Sequence, residues 1–123
     1  MNNRQYFRAY CEFYNGECGY VYFNIHQGLD GILGDDSRTT RIIKIEQCTG
    51  FIDKKGKLIY EGDIVEYKIS GAPSKSKGVV TYLDSAAAWF KGNDVLSTYP
   101  KTIEIIGNIQ ENPELLSPFQ RKI

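Results

Sequence analysis

Two glycine turns within residues 50–65, GFIDKKGKLIYEGDIV, constrain the fold of this chain more than any other feature. The turn around Gly56 begins with Asp53, an order typical of a type I turn that is closed by a residue in the left-handed region. Gly62 stands between two acids and predicts a second turn that also needs a positive φ. A chain that reverses this often forms short antiparallel strands, so the segment predicts a strand after each turn.

Composition favours one mainly β domain. The chain has 123 residues, enough for a single core, and its nine tyrosines favour strands. Its formal net charge is zero, and no part of it has the basic excess that is typical of an electrostatic nucleic-acid binder. No apolar stretch approaches the roughly 20 residues of a membrane span, and the first residues lack a secretory signal. We therefore expect a cytoplasmic protein without membrane contact.

The other turn signals divide the single predicted domain, residues 1–123, into four parts. These are an N-terminal hairpin, a flexible loop, a barrel and a tail, over residues 1–26, 27–40, 41–116 and 117–123. A two-residue turn at Asn15-Gly16 is expected to join the strands of the hairpin, because both residue types tolerate a positive φ. About five short strands after residue 41 predict a small SH3-like barrel, since closing the sheet removes exposed edges.

Two details of the barrel follow from local patterns. In the strand 41–48, alternation predicts two opposite faces, one with Ile43, Ile45 and Gln47 and the other with Ile42, Lys44, Glu46 and Cys48. Near the C-terminus, Asn112 and Pro113 predict one short helical turn with Asn112 as its cap. Leu115 and Leu116 are expected to pack this turn on the core.

Three stretches resemble the YopX-like proteins of phages and prophages. Residues 48–67, CTGFIDKKGKLIYEGDIVEY, resemble the core motif of that family, and residues 103–116, IEIIGNIQENPELL, resemble its C-terminal motif. Residues 4–10, RQYFRAY, resemble its opening strand. The resemblance implies a mainly β fold with an SH3-like barrel and a phage or prophage origin in a bacterial host cell. It implies no known activity, so it assigns a catalytic role to no residue. The matching positions are Gly50, Asp53, Gly56, Tyr60, Glu61, Gly62, Asp63, Gly107, Asn108 and Pro113.

Two groups of residues are candidates for chemistry. Glu61 and Asp63 form a candidate acid–base pair, but residues of one turn need not face each other, and we expect both to be solvated. A deep polar pocket around them would be the first support for an enzyme. The candidate metal ligands are Cys11, Cys18, Cys48 and His26. They lack the short Cys-x₂-Cys spacing of structural zinc sites, so we expect no metal. Since the sequence shows no group of residues that catalysis needs, we also expect no cofactor and no enzyme.

Lysines on two neighbouring loops are the candidate contact residues for a partner or for nucleic acid. They are Lys54, Lys55, Lys57, Lys75 and Lys77. Together with Tyr60, Tyr82 and Trp89 they could form a basic, aromatic surface of the kind that binds nucleic acid. A solvated hairpin tip with the aromatic residues in the core explains the same residues, and we favour that interpretation.

The N-terminal hairpin carries more aromatic residues than one face of a two-stranded ribbon can bury. They are Tyr6, Phe7, Tyr10, Phe13, Tyr14, Tyr20, Tyr22 and Phe23. The hairpin is therefore expected to pack on the barrel or on another copy of the chain. We predict a non-enzymatic protein-interaction module in a homo-oligomer, with a protein partner that the sequence does not identify. The alternative is a nucleic-acid-binding accessory factor that uses the lysine loops.

Overall fold

The chain is mainly β in the computed structural model, which describes residues 5–26, 39–98 and 100–117. Its strands are β1 Tyr6–Phe13, β2 Cys18–Asn24, β3 Thr39–Ile52, β4 Leu58–Tyr60, β5 Asp63–Tyr67, β6 Ser76–Leu83, β7 Ala88–Lys91, β8 Asp94–Val95 and β9 Glu104–Asn108. Single 3₁₀ turns occur at Asp84–Ala86, Pro100–Thr102 and Pro113–Leu115. Within the described ranges there is no α-helix and no helix that could span a membrane. The predicted mainly β fold class is confirmed.

Two of the predicted parts fall largely beyond these ranges. Of the predicted flexible loop 27–40, only Thr39 and Thr40 are described, and they begin β3. Of the predicted tail 117–123, only Ser117 is described.

The chain divides into two compact units, Met1–Cys48 and Thr49–Ile123, and β3 passes from the first into the second. In the first unit, β1 is the central strand and is antiparallel to β2 on one side and to β3 on the other. The predicted N-terminal hairpin is therefore present, and β3 extends it to three strands.

The turn that joins β1 to β2 is longer than predicted. The Phe13 carbonyl accepts from the Gly16 N–H at 2.9 Å, and the Phe13 N–H donates to the Glu17 carbonyl at 2.9 Å. Gly16 has a φ of +84°, whereas Asn15 is not among the described residues with positive φ. The predicted two-residue turn is wrong, and the observed turn has three residues with Gly16 in the left-handed position. Asn15 accepts a hydrogen bond from the Glu17 N–H through its side chain, at 3.0 Å.

A β-bulge interrupts β3 where it pairs with β1. Tyr10 lies opposite Lys44 and Cys11 opposite Ile42, so Ile43 is an extra residue in the ladder. A bulge of this kind reverses the alternation of side chains beyond it. The predicted grouping of Ile42 with Lys44 is therefore wrong, because Ile42 packs with Cys11.

The first unit has one apolar face, built around two small residues. Its members, called the apolar face below, are Phe7, Ala9, Cys11, Phe13, Val21, Phe23, Ile42 and Ile45. Ala9 and Cys11 are fully buried at its centre. Larger side chains surround them, with the rings of Phe7 and Phe23 stacked at 5.6 Å. Ile45 lies opposite Ala9 and is 39% exposed.

The second unit contains a five-stranded antiparallel sheet in the order β8-β7-β6-β5-β9. This sheet curls into a half-barrel, in agreement with the predicted small barrel. One face buries a cluster of Ile59, Val65, Tyr67, Val80, Leu96 and Ile103. On the other face, Ile64 and Val79 pack against Leu116. Residues adjacent along β5 therefore contribute to two different clusters, because side chains alternate along a strand.

The predicted helical turn near the C-terminus is present as the 3₁₀ turn Pro113–Leu115. Leu116 is 2% exposed in the core, and Leu115 packs beside it, as predicted. The capping role predicted for Asn112 is wrong, since its side chain makes no cap hydrogen bond to this turn. The chain reverses so that the Asn112 N–H donates to the Asn108 carbonyl at 2.8 Å. This reversal brings the Asn112 side-chain oxygen to the Asn108 N–H, at 3.2 Å.

Candidate functional site

Asp53 organises the first of the two glycine turns. Its carboxylate is nearly buried, with the residue 5% exposed. Oδ1 accepts from the N–H groups of Lys55 and Lys57, each at 2.9 Å, and Oδ2 accepts from the Ile105 N–H at 3.1 Å. Gly56 completes the turn with a φ of +83°. The predicted turn chemistry is confirmed, and the same carboxylate also joins the turn to β9.

Asp63 has a similar role in the second turn. Its Oδ2 accepts from the Tyr60 N–H at 2.7 Å, and the residue is 3% exposed. Between the two acids, Gly62 has a φ of +87° and donates its N–H to the Val80 carbonyl at 2.8 Å. Glu61 is partly exposed. The expectation that both acids are solvated is therefore wrong for Asp63, because its carboxylate serves as an internal acceptor for the backbone of the turn.

The C-terminal motif is also organised around backbone groups. A Cβ atom on Gly107 would lie 2.7 Å from Asn112 Oδ1 and 2.8 Å from Leu115 Cδ1, so the close approach of the final turn requires glycine. Asn108 Oδ1 accepts from the Glu111 N–H at 2.9 Å. The acidic, amide and glycine residues of the motifs in residues 48–67 and 103–116 thus stabilise turns.

Two of the predicted contact lysines bind one carboxylate of β9. Lys54 Nζ lies 3.1 Å from Glu104 Oε1, and Lys55 Nζ lies 2.9 Å from Glu104 Oε2. The hydrogen bonds from Lys55 and then Lys54 lower the pKa of Glu104, and the bond to Glu104 raises the pKa of Lys55. Sequence reasoning missed Glu104, because it is about fifty residues away from both lysines along the chain.

Lys75 and Lys77 belong to the same row of side chains. The register places Glu66 of β5 between Glu104 of β9 and Lys77 of β6, and directly opposite residues share a face of the sheet. Lys75 Nζ lies 3.6 Å from Glu66 Oε1. We call this set the lysine–glutamate row: Lys54, Lys55, Glu104, Glu66, Lys75 and Lys77. The structure thus brings together four of the five predicted lysines.

Lys57 and the aromatic candidates do not complete this row. Lys57 is exposed in the first turn. Tyr60 is 7% exposed, in agreement with the expected place in the core. Tyr82 is 44% exposed, and its ring contacts that of Trp89 edge-on at 5.1 Å. The expected core position is therefore wrong for Tyr82.

The candidate metal ligands lie in different surroundings. Cys11 and Cys48 are buried, Cys18 is exposed, and all three are free thiols. Cys18 lies opposite Glu12, so it is on the face of the sheet that Cys11 does not share. His26 is exposed. Among the residues that the structure describes, no three acids, cysteines or histidines form a group that could hold a metal ion.

A surface cleft of about 420 Å³ occurs in the second unit. Its lining residues are Lys68, Ser70, Pro100, Lys101 and Thr102, and neither Glu61 nor Asp63 is among them. The Thr102 hydroxyl is already used, because it accepts from the Lys68 N–H at 3.1 Å. This cleft therefore gives no support to an acid–base site in the second glycine turn.

A buried charge cluster in the first unit was not predicted. Arg8 Nε donates to Glu46 Oε1 at 2.8 Å, and these residues are 4% and 1% exposed. The Tyr20 hydroxyl donates to the same oxygen at 3.0 Å, and its ring lies 4.3 Å from the Arg8 guanidinium carbon. Alternation alone placed Glu46 on a charged face, and nothing in its own neighbourhood in the sequence indicates Arg8 as a partner.

Comparisons with known proteins identify a family and a similar fold. The profile of the family described as YopX protein matches residues 2–117. Among solved structures, the crystal structure of protein EF1440 from Enterococcus faecalis is similar, with a TM-score of 0.53 and 24% sequence identity. The likeness covers 90% of this chain and 96% of that chain, and at this identity it concerns the fold alone. A search of curated proteins found no match.

Proposed function

The chain belongs to the YopX protein family, and we propose that it is a non-enzymatic protein-interaction module that associates with a second copy of itself. The apolar face of the first unit carries this proposal. A cytoplasmic location and a phage or prophage origin, expected from the sequence and from the resemblance, stay predictions.

The use of the family motifs supports a role without catalysis. Acid–base chemistry needs a carboxylate that can reach a substrate. Asp53 accepts three backbone hydrogen bonds, and Asp63 accepts one inside its turn. Glu104 binds two lysines. These acids are therefore committed to the fold.

The apolar face supports association because large side chains on it stay accessible to solvent. Ile45 is 39% exposed, and Phe7, Phe13 and Phe23 are partly exposed. Apolar surface grouped in this way is typical of interaction sites, and covering it with a partner would be favourable.

A second copy of the chain is the occupant that best suits this face. Its members are uncharged, so a two-fold arrangement brings no like charges together. The charged side chains of β1 and β3, such as Arg8, Lys44 and Glu46, point to the opposite face, as their register shows. The proposed contact packs the apolar face of one copy on the apolar face of the other.

Ile45→Lys tests this proposal. A lysine there would put a charge at the centre of the proposed interface, so we expect the variant to be monomeric while the wild-type protein is a dimer or larger. Sedimentation velocity and multi-angle light scattering, at several concentrations, measure the difference. Lys44→Gln, one residue away on the other face, is the matched control and should keep the wild-type mass.

The proposal fails if the wild-type protein is monomeric at hundreds of micromolar, or if both variants keep its mass. Thermal unfolding of each variant is followed by circular dichroism, so that loss of association is not confused with loss of folding.

We propose contact with nucleic acid as a second candidate function, supported by the meeting of four lysines in the lysine–glutamate row. Two carboxylates in the same row offset half of this positive charge. If nucleic acid binds here, Glu104→Gln should strengthen binding severalfold. The double variant Lys54→Gln/Lys55→Gln should flatten the dependence of log K on log salt by about 1.4–1.8, the value for two lost phosphate contacts.

Fluorescence anisotropy with single- and double-stranded oligonucleotides at low salt gives these values. Absence of binding at low salt excludes this candidate and leaves the first one untouched. Lys57→Gln, in the same turn but outside the row, is the control.

A further inference from the structure

Lys91, at the end of β7, is completely buried. Its ammonium group lies in a cage of oxygen atoms. Nζ donates to the carbonyl oxygens of Val95 at 2.6 Å and Thr98 at 2.7 Å, and to the Thr98 hydroxyl at 2.8 Å. A third carbonyl, that of Leu96, lies at 3.3 Å. The ring of Tyr67 closes the cage, with its centroid 4.7 Å from Nζ.

Groups of these kinds bind monovalent cations in other proteins. Backbone carbonyls replace the hydration shell of such ions, and an aromatic face attracts them through its quadrupole. The Tyr67 hydroxyl donates to Asp94 Oδ2 at 2.5 Å, which places an acid beside the cage. Desolvation lowers the pKa of Lys91, and the charge of Asp94 opposes this effect.

The cage also accounts for the path of residues 92–98. Three carbonyl dipoles aimed at one point repel each other unless a positive charge lies between them. Leu96 occupies the core of the second unit at 1% exposure, and its N–H donates to the Trp89 carbonyl at 2.9 Å. A cation at the centre of the cage therefore holds the loop in the position that buries Leu96.

We propose that residues 92–98 form a binding site for a primary ammonium ion, and that Lys91 is its tethered occupant. The loop folds around a cation that has N–H donors, and the aliphatic chain of Lys91 places its own ammonium group in this position. None of these residues belongs to the apolar face or to the lysine–glutamate row.

Removal of the ammonium group is the first part of the test. Lys91→Met replaces the side chain with an uncharged one that is shorter by the ammonium group, and Lys91→Ala empties the cage. Both should lower the midpoint of thermal unfolding by about 10 °C or more, because the carbonyls of Val95, Leu96 and Thr98 lose their charged donor. Fluorescence of Trp89, the single tryptophan, should change as the adjacent loop is released. Lys57→Ala, at an exposed lysine, should leave both signals unchanged.

Chemical rescue is the second part. Propylammonium chloride, which restores the atoms removed in Lys91→Ala, should recover at least half of the lost midpoint. Tetramethylammonium chloride at the same concentration has the charge without N–H donors and should recover none. Equal recovery by the two salts, or a Lys91→Met variant as stable as the wild type, would overturn the proposal.

A measurement on the wild-type protein covers the case in which the variants do not fold. In an NMR spectrum of the protein with ¹⁵N at lysine Nζ, we expect one ammonium signal that is protected from solvent exchange at neutral pH. Absence of such a signal contradicts a caged ammonium group.

Discussion

Asp53→Ala is expected to lower the free energy of unfolding by about 4 kcal/mol. The change removes an acceptor of three backbone hydrogen bonds, from Lys55, Lys57 and Ile105. Each bond to a charged acceptor is worth about 1.5 kcal/mol or more, so the loss of all three bonds gives a value of this size. Urea unfolding followed by fluorescence of the single tryptophan measures this loss.

Asp53→Asn is a graded control for the same site. An asparagine keeps an oxygen for Lys55 and Lys57, but its amide nitrogen would face the Ile105 N–H. We therefore expect a loss of about 2 kcal/mol, half of that for alanine. Equal losses for the two variants, or a loss below about 1 kcal/mol for alanine, would contradict the role of the three bonds.

The two predictions at Asp53 bear on the role of the motif in residues 48–67. A motif with acids and amides can indicate a catalytic site or a turn, and the two differ in what the carboxylates bind. Here the carboxylate oxygens of Asp53 and Asp63 accept hydrogen bonds from backbone N–H groups of their own chain. Asp53→Ala should lower stability, while the folded fraction of the variant still associates through the first unit. That result would show that the motif contributes to folding and that the apolar face contributes to association.

Local chemistry explains why the glycine turns were predictable. A positive φ and an aspartate that accepts from residues just after it depend only on neighbours in the sequence. Gly56 and Gly62 both have the expected φ, +83° and +87°. Asn15-Gly16 shows the limit of this reasoning, since the same dipeptide suits both a two-residue and a three-residue turn.

Contacts between distant residues explain what could not be predicted. The faces of β3 depend on a bulge, and the bulge exists only in the pairing with β1. Arg8 and Glu46 are 38 residues apart. Considered alone, each charged residue is expected to be an exposed residue of a strand. The lysine–glutamate row likewise depends on the order of β9, β5 and β6 in the sheet. The chemistry of single residues was predictable, but their partners were not.

Gly78→Ala is expected to cost about 4 kcal/mol or more, although Gly78 lies within the regular strand β6. A Cβ atom there would lie 2.6 Å from the Gly92 nitrogen and 2.8 Å from the Lys91 carbonyl carbon. These are backbone atoms, which cannot rotate away, and the Gly92 N–H is held by the Val79 carbonyl at 3.2 Å. Strands β6 and β7 would have to separate at this point. The midpoint of urea unfolding should therefore shift to a much lower urea concentration.

Gly56→Ala separates this effect from the conformational freedom of glycine. A Cβ atom on Gly56 meets nothing within 4 Å, but φ is +83°, so the expected cost is the left-handed strain of about 1–2 kcal/mol. Gly78→Ala should therefore be the more damaging change by at least about 2 kcal/mol. A Gly78→Ala protein no less stable than Gly56→Ala would mean that β6 and the Lys91–Gly92 backbone are not in close contact.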